Sequence, residues 1–211
     1  MTNGKLITFE GGEGSGKSTQ IEILAKTLEQ VGVNVKTTRE PGGSYTAETI
    51  RELLLDPNRN WDTSAETLML FAARADHFTT LIKPALKLGH WVLCDRFTDS
   101  TRAYQGYGLG LSLEAIEALN EIALGTFKPD LTLVLDVSVE VGMDRLRKRN
   151  NESDRYENMG LDFHKRLRHG FLKIASENAD RCEVIDGNAN VEQVSKTIAN
   201  CVSKRLEITF T

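Results

Sequence analysis

The run Gly11-Gly12-Glu13-Gly14-Ser15-Gly16-Lys17-Ser18 constrains the fold of this chain more than any other stretch. It satisfies G-x-x-x-x-G-K-[ST] directly after the apolar run Leu6-Ile7-Thr8-Phe9 and directly before a segment with helical spacing. Glycines let a loop turn its backbone N–H groups inward around phosphate oxygens, where a Cβ would collide. A helix starting at Lys17 adds its positive end to the same spot. Lys17 supplies a mobile charge for the outer phosphates of a nucleotide. Ser18 offers a hydroxyl to Mg²⁺, and Thr19 extends the phosphate-binding run. A strand on one side and a helix on the other is the context that separates such a loop from a chance glycine cluster.

Further short apolar or β-branched runs follow at Val33–Thr37, Trp91–Cys94, Leu131–Leu135 and, more weakly, Glu183–Ile185. Near-continuous apolar strands are expected in a parallel sheet covered on both faces. Between them, Ser18 to Gln30 carries Ile21, Leu24, Ala25 and Leu28 at helical spacing, and Gly32 stands where a helix would stop. Ser64 to Leu88 reads as one long helix ending at Gly89, with Pro84 expected to kink it. Phe163, Leu167, Phe171 and Ile174 line one side of a later helix. Strand and helix alternating in this way predict a three-layer α/β fold of the P-loop NTPase type: a five-stranded parallel sheet flanked by helices, in one domain over 1–211.

Composition narrows the function. The 211 residues hold 26 basic and 30 acidic side chains, a formal charge of -4, so no positive excess exists to hold a nucleic-acid polymer. No stretch is apolar enough for a signal peptide or a bilayer span, and a cytoplasmic location is expected. The three cysteines, Cys94, Cys182 and Cys201, are scattered, which fits buried thiols in a reducing compartment. His164 and His169 do not share a helical face, so a metal site built on them is not expected.

Two classes use such a loop: a switch or motor that hydrolyses nucleotide, and a kinase that passes phosphate to a small acceptor. N-K-x-D and the switch-loop D-x-x-G are absent, which favours the kinase. In an open α/β sheet, ligands lie at the carboxyl ends of the strands. There the sequence places Arg39-Glu40-Pro41-Gly42-Gly43 after strand two and Asp95-Arg96-Phe97 after strand three. Arg96 is positioned to clamp an acceptor phosphate, and Arg51 and Arg74 on flanking helices could converge on the same anion. A catalytically silent nucleotide-binding module is the contrasting class, against which Lys17, Ser18 and Arg96 speak.

Four strings carry a resemblance over essentially the whole chain: Phe9 to Thr19, Arg39-Glu40-Pro41-Gly42-Gly43, Cys94-Asp95-Arg96-Phe97 and Ala103-Tyr104-Gln105-Gly106. Pro129-Asp130-Leu131 and Asp154-Arg155-Tyr156-Glu157 add to it. The chain resembles thymidylate kinases of the bacterial kind. That resemblance implies transfer of phosphate from ATP to dTMP with Mg²⁺, by a protein that is usually a homodimer; a related kinase with another acceptor is the alternative. It implies that Arg96 holds the acceptor phosphate, with Arg51, Arg74 and Glu40 nearby. Thr101 and Gln105 would read the thymine edge, the Gln amide meeting both a donor and an acceptor there, while Tyr104 crowds the sugar 2′ carbon. Phe71 would stack on thymine, with Leu70 as the runner-up. Glu10 and Asp95 would organise Mg²⁺ through water, although Glu10 also reads as a strand-end carboxylate facing the acceptor.

A phosphate acceptor is already ionised at neutral pH, its second pKa being about 6, so no general base is required. Catalysis then reduces to alignment and charge neutralisation. The phosphate loop carries Glu13 and no basic residue before Lys17. Further cations are expected from a lid over 145–157, with Arg149 and Arg155 as its candidates for the γ-phosphate. The adenine is expected near Asp186-Gly187-Asn188, after the last strand.

Overall fold

The computed structural model describes residues 4–148 and 156–210. Its centre is a parallel sheet of β1 (Leu6–Glu10), β2 (Val35–Arg39), β3 (Trp91–Asp95), β4 (Leu131–Asp136) and β5 (Cys182–Asp186), in the order β2-β3-β1-β4-β5. The near-continuous apolar runs are the three inner strands. β1 and β4 are buried over almost their full length, whereas edge strand β2 alternates polar and half-buried positions. The register sets Phe9 opposite Asp95 and Glu10 opposite Val134, so all strands end along one edge.

Helix α1 (Lys17–Gln30) and the C-terminal helix, Val191–Leu206, cover one face. Ile21, Leu24, Leu28, Val194, Ile198 and Val202 pack there on Ile7, Phe9, Leu93, Leu133 and Leu135. Over the other face, Phe163, Leu167, Phe171 and Ile174 of the helix Leu161–Glu177 pack on Val134. Leu6, Val92 and Cys94 meet Phe78, Ile82 and Ala85 beside them. The expected three-layer parallel fold is therefore the one formed, and among the described residues no helix is long and apolar enough to cross a membrane.

Two expectations are corrected. Strand two runs two residues later than the sequence reading, because Val33 and Asn34 still belong to the turn after α1, where the Val33 N–H donates to Leu28. The long segment from Ser64 is not one regular helix. It runs as α-helix over Thr63–His77, widens to π-helical turns over Phe78–Ile82, and resumes over Lys83–Lys87. Pro84 has no N–H to offer and its ring crowds the preceding turn, and the wider turns just before it accommodate both. A second π-helical stretch, Arg102–Gly108, follows the single turn Thr98–Thr101 and carries Tyr104 and Gln105 inward.

Candidate active site

The phosphate loop links β1 to α1. Gly11, Gly14 and Gly16 adopt φ of 133°, 68° and 93°, the left-handed region that a side chain disfavours. A Cβ on Gly14 would also sit 2.3 Å from the Gly142 carbonyl oxygen, so α2 (Val139–Arg147) packs against the loop's outer side. Lys17 folds back over the loop, donating to the carbonyls of Gly11 and Gly12 at 3.1 Å and to Ser15 Oγ at 3.3 Å. Burial and the neighbouring Arg96 pull its ammonium pKa down to about 8.

Arg96 lies against this loop. It is a non-glycine residue at φ 68°, a conformation that costs free energy and persists only where surrounding contacts impose it. Its N–H donates to Phe9, its Nη1 to Gly11 O at 3.1 Å and Ser100 Oγ at 3.3 Å, and its Nη2 to Glu13 Oε1 at 2.6 Å. The Tyr104 hydroxyl donates to the same Glu13 oxygen at 2.6 Å, and the guanidinium sits 4.9 Å from the Tyr104 ring. Burial raises the Glu13 pKa, but the charges of Arg96 and Lys17 outweigh it and hold the carboxylate at about 2.

Glu10 is fully buried behind Arg96. Its oxygens accept from the Phe97 N–H at 2.8 Å and from Ser100 Oγ at 2.5 Å, which fixes the turn that aims Arg96. Burial, with Asp99 close by, pushes its carboxyl up to about 8. Asp99 is itself held by Arg181 at 2.6 and 3.0 Å and by Arg102 at 2.6 Å.

Beside β2, Glu40 opens a turn through a cis peptide to Pro41. It accepts from Arg74 Nε at 2.7 Å and pairs with His77 Nδ1 at 3.0 Å, all three side chains buried. Arg74 also donates to Thr101 Oγ1 and stacks at 4.8 Å over Phe71. Its buried Nη1 has no hydrogen-bond partner among the described residues, an arrangement that a ligand oxygen would complete. Arg51, on the helix Tyr45–Leu55, donates to the Pro41 carbonyl at 2.6 Å. Of the two thymine candidates, Phe71 is buried at this cluster, while Leu70 is half-buried.

For a divalent cation the relevant pair is Ser18 and Asp95, whose Oγ and Oδ2 meet at 2.9 Å beside the loop. Hard oxygen donors at that place fit Mg²⁺, which keeps several waters and takes few protein ligands. Among the described residues no cluster of three acidic, His or Cys groups forms a separate cage. Near the expected adenine end, Arg145 of α2 donates to Gly187 O at 3.0 Å and Gly14 O at 3.4 Å, joining that loop to the phosphate loop. Arg149 and Arg155 lie outside the described residues.

Glu66, His77, Asp99, Arg181 and Tyr156, to which no motif in the sequence assigns a role, also touch this cluster or its support. The available signal was the stripe Glu66, Thr67, Phe71, Arg74, His77 on one helix face. Four of its five members are polar, and all are buried. Polar side chains buried along one helix face need partners there, which an ordinary apolar core does not offer.

A phosphate loop at the edge of a 2-3-1-4-5 parallel sheet, faced across about one side chain by a clamped arginine, defines a P-loop nucleotide-binding protein of the small-kinase class. A family model, Thymidylate kinase, matches residues 9–198. The thymidylate kinase of Afipia carboxidovorans is 51% identical over 206 residues, covering 96% of this chain and 90% of that protein. That of Caulobacter vibrioides is 50% identical over 207 residues, covering 98% and 99%. The crystal structure of thymidylate kinase from Ehrlichia chaffeensis superposes with a TM-score of 0.79 at 36% identity, covering 95% of this chain and 99% of that one. The chain belongs to the thymidylate kinase family.

Proposed function

We propose that this protein transfers the γ-phosphate of ATP to dTMP, giving dTDP and ADP on the way to dTTP. The observation that carries this reading is the seat of Arg96, whose guanidinium lies 3.1 Å from the Gly11 carbonyl and 2.6 Å from Glu13. An acceptor phosphate held by Arg96 would therefore face a donor phosphate cradled by the loop. Belonging to the thymidylate kinase family supports dTMP as that acceptor.

The chemistry follows from charge and placement. The dTMP phosphate is the nucleophile and needs no proton removed, since its second pKa is about 6. Lys17 exchanges its carbonyl contacts for phosphate oxygens, and at neutral pH it remains mostly protonated. Ser18 and Asp95 would hold Mg²⁺, which would supply positive charge to offset that of the donor phosphates. Glu10 holds the Phe97 turn and so fixes the direction of Arg96. Phe71 and Arg74 flank the base, Thr101 and Gln105 face its edge, and Tyr104 lies against the sugar. Arg51 and Glu40 shape the turn at the acceptor phosphate. The segment 145–157 serves as the lid, with Arg149 or Arg155 reaching the γ-phosphate.

A second copy of the chain is expected on the outer faces of Thr63–His77 and Leu113–Leu124, two packed helices that expose Leu68 and Ile122. The cytoplasm, where ATP is abundant and the three unpaired thiols stay reduced, is the compartment this reading requires.

A coupled assay of ADP release tests the proposal, scanning dTMP, dUMP, dCMP, dAMP and the matching ribonucleotides with ATP and Mg²⁺. dTMP should give the highest kcat/KM. Comparable rates on ribonucleotides, or a better acceptor of another base, would favour a related kinase instead.

A further inference from the structure

Asp99 is a carboxylate buried almost completely on the single turn Thr98–Thr101, shortly after Arg96. Guanidinium groups hold it from two directions. Arg181, just before β5, donates from Nη1 to Oδ2 at 2.6 Å and from Nη2 to Oδ1 at 3.0 Å, a two-pronged pair. Arg102 donates to Oδ1 at 2.6 Å and is itself held by both oxygens of Glu117. Burial raises the Asp99 pKa, but Arg181 and then Arg102 outweigh it and hold the carboxyl below its usual range. Arg181 also reaches into the sheet. Its Nη1 lies 3.0 Å from Thr132 Oγ1 on β4, which in turn lies 2.8 Å from Thr8 Oγ1 on β1. The turn is thus fastened to the sheet through Arg181.

The other side of the same turn meets the phosphate end of the site. Ser100, the next residue, donates to Glu10 Oε2 at 2.5 Å and accepts from Arg96 Nη1 at 3.3 Å. Glu10 also accepts the Phe97 N–H at 2.8 Å, so its two oxygens grip the chain on either side of Asp99. Arg96 needs such support, because its φ of 68° persists only where neighbours impose it.

A buried ion pair is a poor source of stability, since well-packed apolar side chains of similar volume often serve as well or better. What it provides is direction, because a forked guanidinium meets a carboxylate in few orientations. An apolar plug between turn and sheet would fill the space without fixing the angle.

We propose that Asp99 and Arg181 are positioning residues for phosphoryl transfer, holding the turn through which Ser100 sets the Arg96 guanidinium against the phosphate loop. The inference rests on the reading of Arg96 as the clamp on the acceptor phosphate.

The test is steady-state kinetics on the full-length wild type, Asp99→Asn, Arg181→Lys, Ser100→Ala and the double variants with Ser100→Ala, at a temperature where circular dichroism shows each one folded. Asp99→Asn keeps the shape and removes the charge, whereas Arg181→Lys keeps the charge and removes the fork. Each should lower kcat/KM for dTMP about tenfold or more, while the KM for ATP moves by less than about twofold. With Ser100→Ala the path to Arg96 is already cut, so the same substitutions should then cost less than about threefold. A merely structural role would give equal factors in both backgrounds. A smaller loss in the single variants, an equal loss with and without Ser100, or a matching change in the KM for ATP would overturn the inference. Arg181→Lys decides the matter if Asp99→Asn does not fold. Arg96→Ala separates this inference from the reading beneath it. Unchanged dTMP kinetics there would remove the clamp and this inference together, whereas a large loss there with none in Asp99→Asn would remove this inference alone.

Discussion

Arg96 and Glu13 form a 2.6 Å ion pair that ties the end of the third strand to the tip of the phosphate loop. Tyr104 donates to the same carboxylate oxygen, so one acidic side chain holds three parts of the site in register: the loop, Arg96 and the Tyr104 ring. Glu13 brings no cation to the phosphate loop, and its part here is to orient the Arg96 cation that follows another strand.

Glu13→Gln keeps the shape and removes the charge. A small misplacement at the reacting groups costs about 10²-fold in rate, so kcat/KM for dTMP should fall by a factor of that order. With the Glu13 carboxylate held at about 2, its contribution is full above the unfolded value of 4.5 and is lost as pH falls toward 2. Steady-state kinetics from pH 5 to 8 should therefore show a constant ratio between wild type and variant.

Glu10 has the opposite sign. Burial, reinforced by Asp99, lifts its pKa from 4.5 to about 8, so in that window the folded chain keeps a proton that the unfolded chain releases. The stability it contributes is full below 4.5 and lost as pH rises through 8. Glu10→Gln retains an acceptor for the Phe97 N–H and removes this dependence. One proton is worth about 1.4 kcal/mol per pH unit, or about 3 °C for a chain of this size. The wild-type Tm should drop relative to the variant by up to that amount per unit between pH 5 and 8. Parallel curves would contradict the assignment.

Gly142 lies in α2, outside every proposed ligand contact, yet a Cβ there would sit 2.8 Å from the Glu13 carbonyl oxygen. Alanine is favoured over glycine within a helix by about 1 kcal/mol, so any damage must come from that clash. Gly142→Ala should raise the KM for ATP about tenfold, in line with the 1–3 kcal/mol typical of overpacking, while Tm changes little. Measured ATP affinity and thermal melts together check this.

The lid prediction concerns residues beyond those described. Of Arg149→Ala and Arg155→Ala, at least one should lower kcat by about 10²-fold or more, as expected for an arginine that neutralises the transferring phosphoryl group. KM for dTMP should remain within threefold. Full turnover in both variants would place the γ-phosphate cation elsewhere, with Arg145, already bonded to Gly14 and Gly187, as the next residue to test.

Much of this arrangement was legible in the sequence because its signals are local. The glycine loop needs particular backbone angles, the inner strands need apolar runs, and a strand-ending Asp95-Arg96 falls at the ligand edge of any such sheet. What escaped were relationships set by packing. The two-residue shift of β2 reflects where the turn after α1 closes, which alternating polar letters on an edge strand do not specify. The π-helical turns before Pro84 and around Tyr104 leave no periodic trace, and those around Tyr104 deliver Gln105 to Glu66. Glu66 and Tyr156 are 90 residues apart and meet only when two helices and a π-helical stretch are assembled. Arg181 and Asp99, 82 residues apart, brace the turn behind Glu10 in the same non-local way.

The most direct measurement is the kinetics of Arg96→Ala with dTMP and ATP varied separately, alongside a dTMP binding titration. The account predicts that kcat/KM for dTMP falls by about 10³-fold, the scale of losing a charged clamp on a reacting phosphate, with dTMP binding weakened and ATP affinity changed by less than about fivefold. Undiminished turnover and unchanged dTMP affinity in a folded Arg96→Ala protein would contradict it.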